Sequence, residues 1–149
     1  MIASPVSIRL SCASLAVMLA TLGVTIYLTI AHYQSDVLVC AVGGDCHTVQ
    51  NSKYAMLGPI PVALLGLLMS ITLLGLWWAR HRNLLDPFTA TAAIFLILIA
   101  GVAGEAYLTY VEIWVIDAIC TWCVTFATLL VIMTVIELLQ LIRITNAEE

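Results

Sequence analysis

The arrangement of apolar and polar residues divides the chain into four long hydrophobic stretches separated by polar connections. The stretches cover residues 10–30, 60–78, 88–111 and 119–142. Each is close to the run of about 20 helical residues that crosses the hydrocarbon core of a bilayer. Backbone groups in lipid must be hydrogen-bonded within the protein, which favours helices. The pattern predicts an all-α integral membrane protein, a four-transmembrane-helix bundle forming a single domain over residues 1–149.

Prolines indicate where two of these helices begin. Pro59 and Pro61 stand at the start of the second stretch, and Pro87 stands just before the third. Proline suits the opening turn of a helix, where its missing N–H group costs little. The connection between the first two stretches is long, whereas the other two are short. We therefore expect a long loop between helices 1 and 2.

Composition supports this interpretation and excludes two classes of protein. Of the 149 residues, 63% are hydrophobic and only 9% are charged. Soluble domains carry about a quarter charged residues, so most of the surface must face lipid. With five Lys and Arg residues and a net charge of −4, the chain lacks the basic surface that nucleic-acid binding requires.

The distribution of basic residues predicts the orientation in the membrane. The N-terminus, the second connection and the C-terminus contain Arg9, Arg80, Arg82 and Arg143. Only Lys53 lies in the long first connection. Lys and Arg near span ends are enriched on the cytoplasmic side. We expect both termini to be cytoplasmic and the first and third connections to face outward.

Cys120 and Cys123 form a C-x-x-C motif at the start of the fourth stretch. A helix N-terminus lowers the pKa of a thiol, and the thiolate is the form that attacks disulfides. If the segment is helical, Cys123 lies about 4.5 Å deeper than Cys120. We expect Cys120 to meet a partner from the aqueous side and Cys123 to face a molecule dissolved in lipid.

Cys40 and Cys46 form a second pair in the long first connection. Gly43 and Gly44 lie between them and allow the chain to fold back, because glycine tolerates positive φ. On its own, this pair would indicate a disulfide that staples the loop. Beside a second dithiol on the same face, it favours a shuttle that moves electrons by thiol–disulfide exchange.

Two other interpretations remain open for these cysteines. In a non-enzymatic membrane protein, the disulfides would only brace the loop. A zinc or copper site is the other alternative, with ligands chosen from Cys40, Cys46, His47, Cys120 and Cys123. The spacing around His47 is not typical of zinc fingers, and an oxidising compartment opposes free thiolates, so we predict no metal.

Around these motifs the sequence resembles the vitamin K epoxide reductase (VKOR) family in its bacterial, quinone-linked form, over roughly residues 10–130. The first matching positions are Cys40, Cys46, Val49, Ser52, Tyr54, Ala55, Gly58, Pro61 and Gly66. The second set is Tyr107, Leu108 and Tyr110, which lead to Cys120, Trp122 and Cys123. The order of the two cysteine pairs along the chain is also that of this family.

The resemblance implies a four-helix bundle around a quinone site, and a membrane oxidoreductase that couples thiol oxidation to quinone reduction. Cys123 would react with the quinone, Cys120 would be its exchange partner, and Cys46 would bridge transiently to Cys120. The quinone would be of the ubiquinone, menaquinone or vitamin K type. A thioredoxin-like (DsbA-type) protein acting in trans would donate the electrons. The expected location is the bacterial inner membrane with periplasmic or extracellular cysteines, the alternative being the endoplasmic reticulum membrane with luminal cysteines.

Two further observations refine the predicted site. Ala127 occupies the position at which vertebrate members carry a tyrosine. This difference favours a respiratory quinone over vitamin K epoxide, which a eukaryotic-type reductase would use instead. Glu105 falls inside the third stretch, where a carboxylate is costly and suggests a function such as proton relay. The residues expected at the quinone are Cys123, Ser52, Tyr54, Phe126 and Glu105.

Overall fold

Four long helices dominate the structure, a computed structural model that describes residues 7–34, 38–40 and 44–148. They are α1 (Ile8–Tyr33), α3 (Val62–His81), α4 (Pro87–Val111) and α5 (Thr121–Glu148), with the short helix α2 (Cys46–Gln50) between α1 and α3. All four long helices are long and apolar enough to cross a membrane. The predicted fold class is therefore confirmed, while the single domain over 1–149 stays a prediction.

Local sequence explains where the helices begin and end. Pro87 occupies the first turn of α4, and the Asp86 side chain caps that helix by accepting a hydrogen bond from the Thr89 N–H (3.0 Å). Pro61 is the N-cap residue of α3. Pro61 and Pro87 thus stand where the sequence predicts, because a helix start needs neither the N–H group nor a free φ angle. Pro59 does not, since it lies in the turn between the two short strands that precede α3.

The first connection contains the only β-structure within the described ranges. Strands β1 (Met56–Leu57) and β2 (Ile60–Pro61) pair antiparallel, with Met56 opposite Pro61. Gly58 turns the chain between them at φ 63°, a conformation that glycine adopts without strain. A 3₁₀ turn over Lys53–Ala55 precedes this hairpin. The hairpin delivers the chain to the start of α3.

The long helices form a ring in which α1 packs against α3 and α5, and α4 packs against the same two helices. Their shared core consists of Met18, Leu73, Ile94, Leu98, Phe126, Leu130 and Met133. Most remaining apolar side chains face outward, as expected where the surrounding medium is lipid. The first connection and the start of α5 lie at one end of this ring.

A buried polar cluster joins the four long helices at the opposite end. It consists of Ser14, Arg80, Thr91, Glu137 and Gln140. Arg80 Nη1 donates to Glu137 Oε2 (2.7 Å) and to Thr91 Oγ1 (2.9 Å), while the Ser14 hydroxyl donates to Glu137 Oε1 (2.5 Å). From sequence alone Glu137 is expected to reach the membrane interface, which is wrong: its side chain is fully buried and paired with Arg80.

Candidate functional site

The C-x-x-C motif lies at the point where the chain enters α5. Cys120 immediately precedes the helix and Cys123 is its third residue. The Cys123 thiol donates a hydrogen bond to the Cys120 sulfur, with 2.6 Å between the two sulfur atoms. The Cys123 backbone N–H donates to the same sulfur, with 3.3 Å from nitrogen to sulfur. The two sulfurs are therefore close enough to interconvert between dithiol and disulfide with little backbone movement.

The chain that leads into this motif is shaped by a π-helical turn over Glu112–Ile116. Asp117 follows in the left-handed conformation (φ 55°) and ends the helix. The Ala118 N–H then donates to the Glu112 carbonyl oxygen (3.0 Å), and the Cys120 N–H donates to the Glu112 carboxylate (2.9 Å). Glu112 thus fixes the backbone on which Cys120 is presented.

Cys40 and Cys46 form a disulfide with a Cα–Cα distance of 5.9 Å. Cys46 opens α2, and Asp45 caps that helix by accepting from the Thr48 N–H and hydroxyl. The predicted turn falls partly on Gly43, which lies outside the described residues. Cys46 is fully buried, whereas Cys40 is half-buried and so lies closer to water.

The loop disulfide packs directly on the C-x-x-C segment. The Asp45 N–H donates to the Ile119 carbonyl oxygen (2.9 Å). A Cβ atom on Gly44 would lie 2.5 Å from Thr121 Oγ1 and 3.2 Å from Cys40 Sγ, so glycine permits this close approach. One buried cluster contains Ala31, Leu38, Cys46, Val49 and Cys120. Thus the two cysteine pairs share a single packed environment.

Aromatic side chains hold the segment of the first connection that precedes Cys40. The Trp122 indole N–H donates to the Val39 carbonyl oxygen (2.8 Å), and the Val39 N–H donates to the Tyr27 hydroxyl (2.8 Å). The Tyr27 and Trp122 rings pack 4.8 Å apart. Trp122, the residue between the two cysteines, therefore links the C-x-x-C motif to the segment that carries Cys40.

The burial of Cys120 corrects one expectation from the sequence. Cys120 was expected to meet a partner from the aqueous side, but its exposed fraction is 0% because the first connection covers it. Cys40, being half-buried, is the better placed sulfur for a water-soluble partner. Cys46 and Cys120 lie together beneath the surface, where exchange between them is shielded from water.

Cys123 lines the wall of a cavity. The cavity has about 610 Å³ of space free of protein atoms, including its mouth. All five residues that the sequence predicts at the quinone, Cys123, Ser52, Tyr54, Phe126 and Glu105, line its wall. Apolar side chains from α1, α3 and α4 form much of the remainder. That these five residues bind a quinone stays a prediction.

The cavity contains a polar group suited to a quinone carbonyl. The Ser52 hydroxyl is buried and has no hydrogen-bond partner within the described part of the chain. A buried hydroxyl without a partner is costly, so this position favours a ligand with an acceptor oxygen. Apolar walls with a few oriented polar groups are typical of small-molecule sites. The donor set therefore fits a quinone head group.

Glu112 is the site residue that the sequence analysis missed. It lines the same cavity, contacts the Cys123 thiol and is only 4% exposed. A sequence signal exists, since Glu105 and Glu112 are seven residues apart and would share one face of a helix that continued through both. Near the end of a predicted span, however, Glu112 is easily taken for a solvated residue.

The pKa values of Cys120 and Asp45 are both lowered, by different hydrogen bonds. The hydrogen bond from Cys123 lowers the pKa of Cys120, while burial and the Glu112 charge act in the opposite direction. Hydrogen bonds from Thr48 lower the pKa of Asp45. A lowered pKa enriches the Cys120 thiolate, the species that exchanges with disulfides.

The alternative metal site receives no support from the geometry. Two of its suggested ligands, Cys40 and Cys46, are joined in a disulfide. Among the described residues, no three His, Cys, Asp or Glu side chains are grouped closely enough to hold a metal ion. His47, another suggested ligand, is exposed at the surface of α2.

The fold and the site define an integral membrane protein in which two cysteine pairs meet at one end of a helical bundle. A comparison with protein-family models matches residues 12–138 to the vitamin K epoxide reductase family. The chain belongs to this VKOR family, which confirms the resemblance and implies oxidoreductase activity. A comparison with curated proteins finds no match.

Proposed function

We propose that this protein oxidises the thiols of a thioredoxin-like partner and reduces a quinone dissolved in the bilayer. The observation that carries the proposal is the sequence of contacts across the site. The Cys40–Cys46 disulfide packs on the Cys120–Cys123 pair, and Cys123 lines the cavity. Electrons entering at Cys40 therefore have a continuous route of sulfurs toward the cavity.

Each step is a thiol–disulfide exchange between neighbouring sulfurs. A partner thiol attacks Cys40, which forms a mixed disulfide and releases Cys46. The second thiol of the partner then resolves that mixed disulfide, so that Cys40 and Cys46 are left as thiols. Cys46 then attacks Cys120 and releases Cys123. Cys40 resolves the Cys46–Cys120 bridge, which restores the loop disulfide and leaves Cys120 and Cys123 as thiols.

The quinone accepts the two electrons and two protons of these thiols, and the S–S bond between Cys120 and Cys123 forms again. Ser52 donates a hydrogen bond to a carbonyl oxygen, and Phe126 contributes an apolar wall. Tyr54 and Glu105 complete the polar part of the cavity. In this proposal the protein is a bacterial-type family member in the inner membrane. Both termini are in the cytoplasm, and the four paired cysteines lie on the outer side.

The two members of the C-x-x-C motif have separable roles, and single substitutions test them. In Cys120→Ser, Cys123 has lost the thiol that would resolve its reaction, so a coloured complex of its thiolate with the quinone accumulates. In Cys123→Ser, the colour is absent and a Cys46–Cys120 mixed disulfide is trapped. Reduced protein is mixed anaerobically with ubiquinone and menaquinone analogues while visible absorbance is followed. For the bridge, Cys123→Ser is kept with its loop disulfide intact, so that Cys120 can attack Cys46 and release Cys40. An alkylating reagent then blocks the Cys40 thiol, and non-reducing digestion identifies the bridge.

Wild-type protein in the same mixing experiment provides the reference, since it should lose two thiols for each hydroquinone that it forms. A visible band in Cys123→Ser and none in Cys120→Ser would exchange the two roles. If wild type reduces no quinone, and neither variant develops a band, the quinone-reductase proposal is wrong. The loop disulfide would then serve only to brace the structure.

A further inference from the structure

Glu112 is a buried carboxylate in direct contact with the reactive cysteines. Its exposed fraction is 4%, its carboxylate accepts the Cys120 N–H at 2.9 Å, and the Cys123 thiol lies within its hydrogen-bonding range. The same side chain forms part of the cavity wall. An ionisable group at this depth is costly to bury unless its charge or its proton is used.

The cavity needs a proton carrier close to Cys123. Reduction of a quinone consumes two protons, while most of the cavity wall is apolar: Leu28, Val49, Leu108, Val111, Ile116 and Phe126. Glu105 also lies on the wall, seven residues before Glu112 in α4, while Glu112 begins the π-helical turn that follows α4. Of these two carboxylates, Glu112 is the one whose side chain bonds to the C-x-x-C backbone.

We propose that Glu112 is the catalytic acid–base group of this site. It takes the proton of the Cys123 thiol as the sulfur becomes nucleophilic, and it returns that proton to a carbonyl oxygen of the quinone. This inference rests on the proposed function and assigns its proton chemistry. It also separates two roles of one side chain, because holding the Cys120 N–H requires only an acceptor oxygen.

The reaction balances with no additional reagent. The S–H bonds of Cys120 and Cys123 break and one S–S bond forms between them. The two electrons given up by the sulfurs reduce the quinone ring, whose carbonyl oxygens each gain one proton. The proton from Cys123 travels through Glu112, and the other comes from the Cys120 thiol.

The variant Glu112→Gln separates these two roles. Glutamine keeps the side-chain length and an oxygen that accepts the Cys120 N–H, but it cannot take up the thiol proton. In single-turnover mixing with a menaquinone analogue, hydroquinone formation should slow by roughly 100-fold or more, as for loss of a general acid–base group. Glu112→Asp keeps a carboxylate and should recover part of the rate. Reduction of the C-x-x-C disulfide by a small dithiol should change little in either variant.

A matched control comes from the same connection of the chain. Asp117 is exposed and does not line the cavity, so Asp117→Asn removes a nearby carboxylate without entering the site. Its rate of hydroquinone formation should equal that of wild type. Added formate, a small external proton carrier, should accelerate Glu112→Gln while leaving Asp117→Asn unchanged. Equal rates in Glu112→Gln and wild type would overturn the assignment.

A second measurement keeps Glu112 testable even if no quinone is reduced. In protein whose other four cysteines are serine, Cys123 is alkylated by N-ethylmaleimide. In wild type the alkylation rate should rise with pH in two steps, because the thiolate is the reacting form and Cys123 and Glu112 share one proton, whereas Glu112→Gln should show a single step. The same pH profile in both proteins would contradict a proton-accepting role. Two steps in wild type that become one in Glu112→Gln, without any wild-type quinone reduction, would instead reject the proposed function and retain Glu112 as the base.

Discussion

At the scale of single residues, Cys120 combines full burial with a lowered pKa. Its exposed fraction is 0%, yet the hydrogen bond donated by the Cys123 thiol stabilises its thiolate. Burial alone would favour the neutral thiol. The thiolate at Cys120 is thus a product of its neighbour, and the reactivity of the motif belongs to the pair.

This dependence predicts a shift in pH titration. With Cys12, Cys40 and Cys46 replaced by serine, Cys123→Ala should raise the pKa of Cys120, because the donor to its sulfur is lost. Since the folded pKa is depressed, the thiolate stabilises the fold at pH values above the ordinary thiol pKa. That contribution is lost as pH falls through the folded pKa. Ultraviolet thiolate absorbance measured against pH checks the shift.

Cys123→Ser serves as the matched control, because a serine hydroxyl still donates to the Cys120 sulfur. Its titration should lie at lower pH than that of Cys123→Ala. Identical curves for the alanine and serine variants would mean that the contact between the two side chains does not set the pKa.

At the scale of elements, the first connection acts as a cover over the start of α5. Backbone contact between Asp45 and Ile119, together with the Trp122 bond to Val39, fixes it there. The approach is close only because Gly44 has no side chain. The position of the loop is therefore as much a part of the site as the cysteines themselves.

Gly44→Ala should weaken this docking. The added Cβ would lie 2.5 Å from Thr121 Oγ1 and 3.3 Å from the Ile119 carbonyl oxygen, so the loop must move away. Exchange between Cys46 and Cys120 should slow by roughly 10- to 100-fold, as expected for a displacement of about 1 Å between reacting groups. Stopped-flow oxidation of a thioredoxin-like dithiol reports the rate.

Gly75→Ala is the control for this substitution, since a Cβ at that position would meet no described atom within 4 Å. It should retain the wild-type rate. A small permeant dithiol that reduces Cys120 and Cys123 directly should also restore quinone reduction in Gly44→Ala. Failure of that bypass would show that the substitution damages more than the loop.

The elements differ in how far the sequence predicts them. Four apolar stretches and the C-x-x-C spacing are local patterns, so the helices and the place of the motif at the start of α5 follow directly from them. The π-helical turn over Glu112–Ile116 has no such local pattern, because it depends on contacts that the chain makes later, at Ala118 and Cys120. Glu112 therefore had no local signal that it would touch Cys120. Glu137 was misjudged because its partner Arg80 lies 57 residues earlier in the chain.

At the scale of the whole molecule, the polar cluster should stabilise the bundle from the end opposite the cysteines. Glu137→Ala leaves the Arg80 cation buried without its partner, which typically costs about 3–5 kcal/mol. Thermal unfolding in lipid nanodiscs should occur at lower temperature. The remaining folded protein should keep its thiol-exchange rate, because the cluster is remote from the site.

A double substitution supplies the control for this effect. Replacing Arg80 by Met together with Glu137 by Leu removes both charges, so the variant should recover most of the lost stability. If the double variant is as unstable as Glu137→Ala, the loss comes from packing around residue 137 and not from an unpaired charge.

The orientation of the whole molecule is also open to test. We expect Arg82 and the end of α3 to be cytoplasmic and the first connection to face outward. In protein without its native cysteines, a membrane-impermeant maleimide added to intact cells should label Lys53→Cys and miss His81→Cys. Both positions are exposed in the folded protein, so access depends on the membrane. The reverse labelling pattern would show that the protein has the opposite orientation in the membrane.

The polar cluster also has a consequence for how the protein is made. Because Arg80 precedes Glu137 by 57 residues, its cation is synthesised and positioned before its counter-charge exists. Until α5 inserts, a half-built bundle displays an unpaired arginine at its helix interface. That unpaired charge would make the association of the first three helices unfavourable. Arrival of the last helix pairs the arginine and also brings Cys120 and Cys123, so a bundle in which this charge is paired already carries its reactive site.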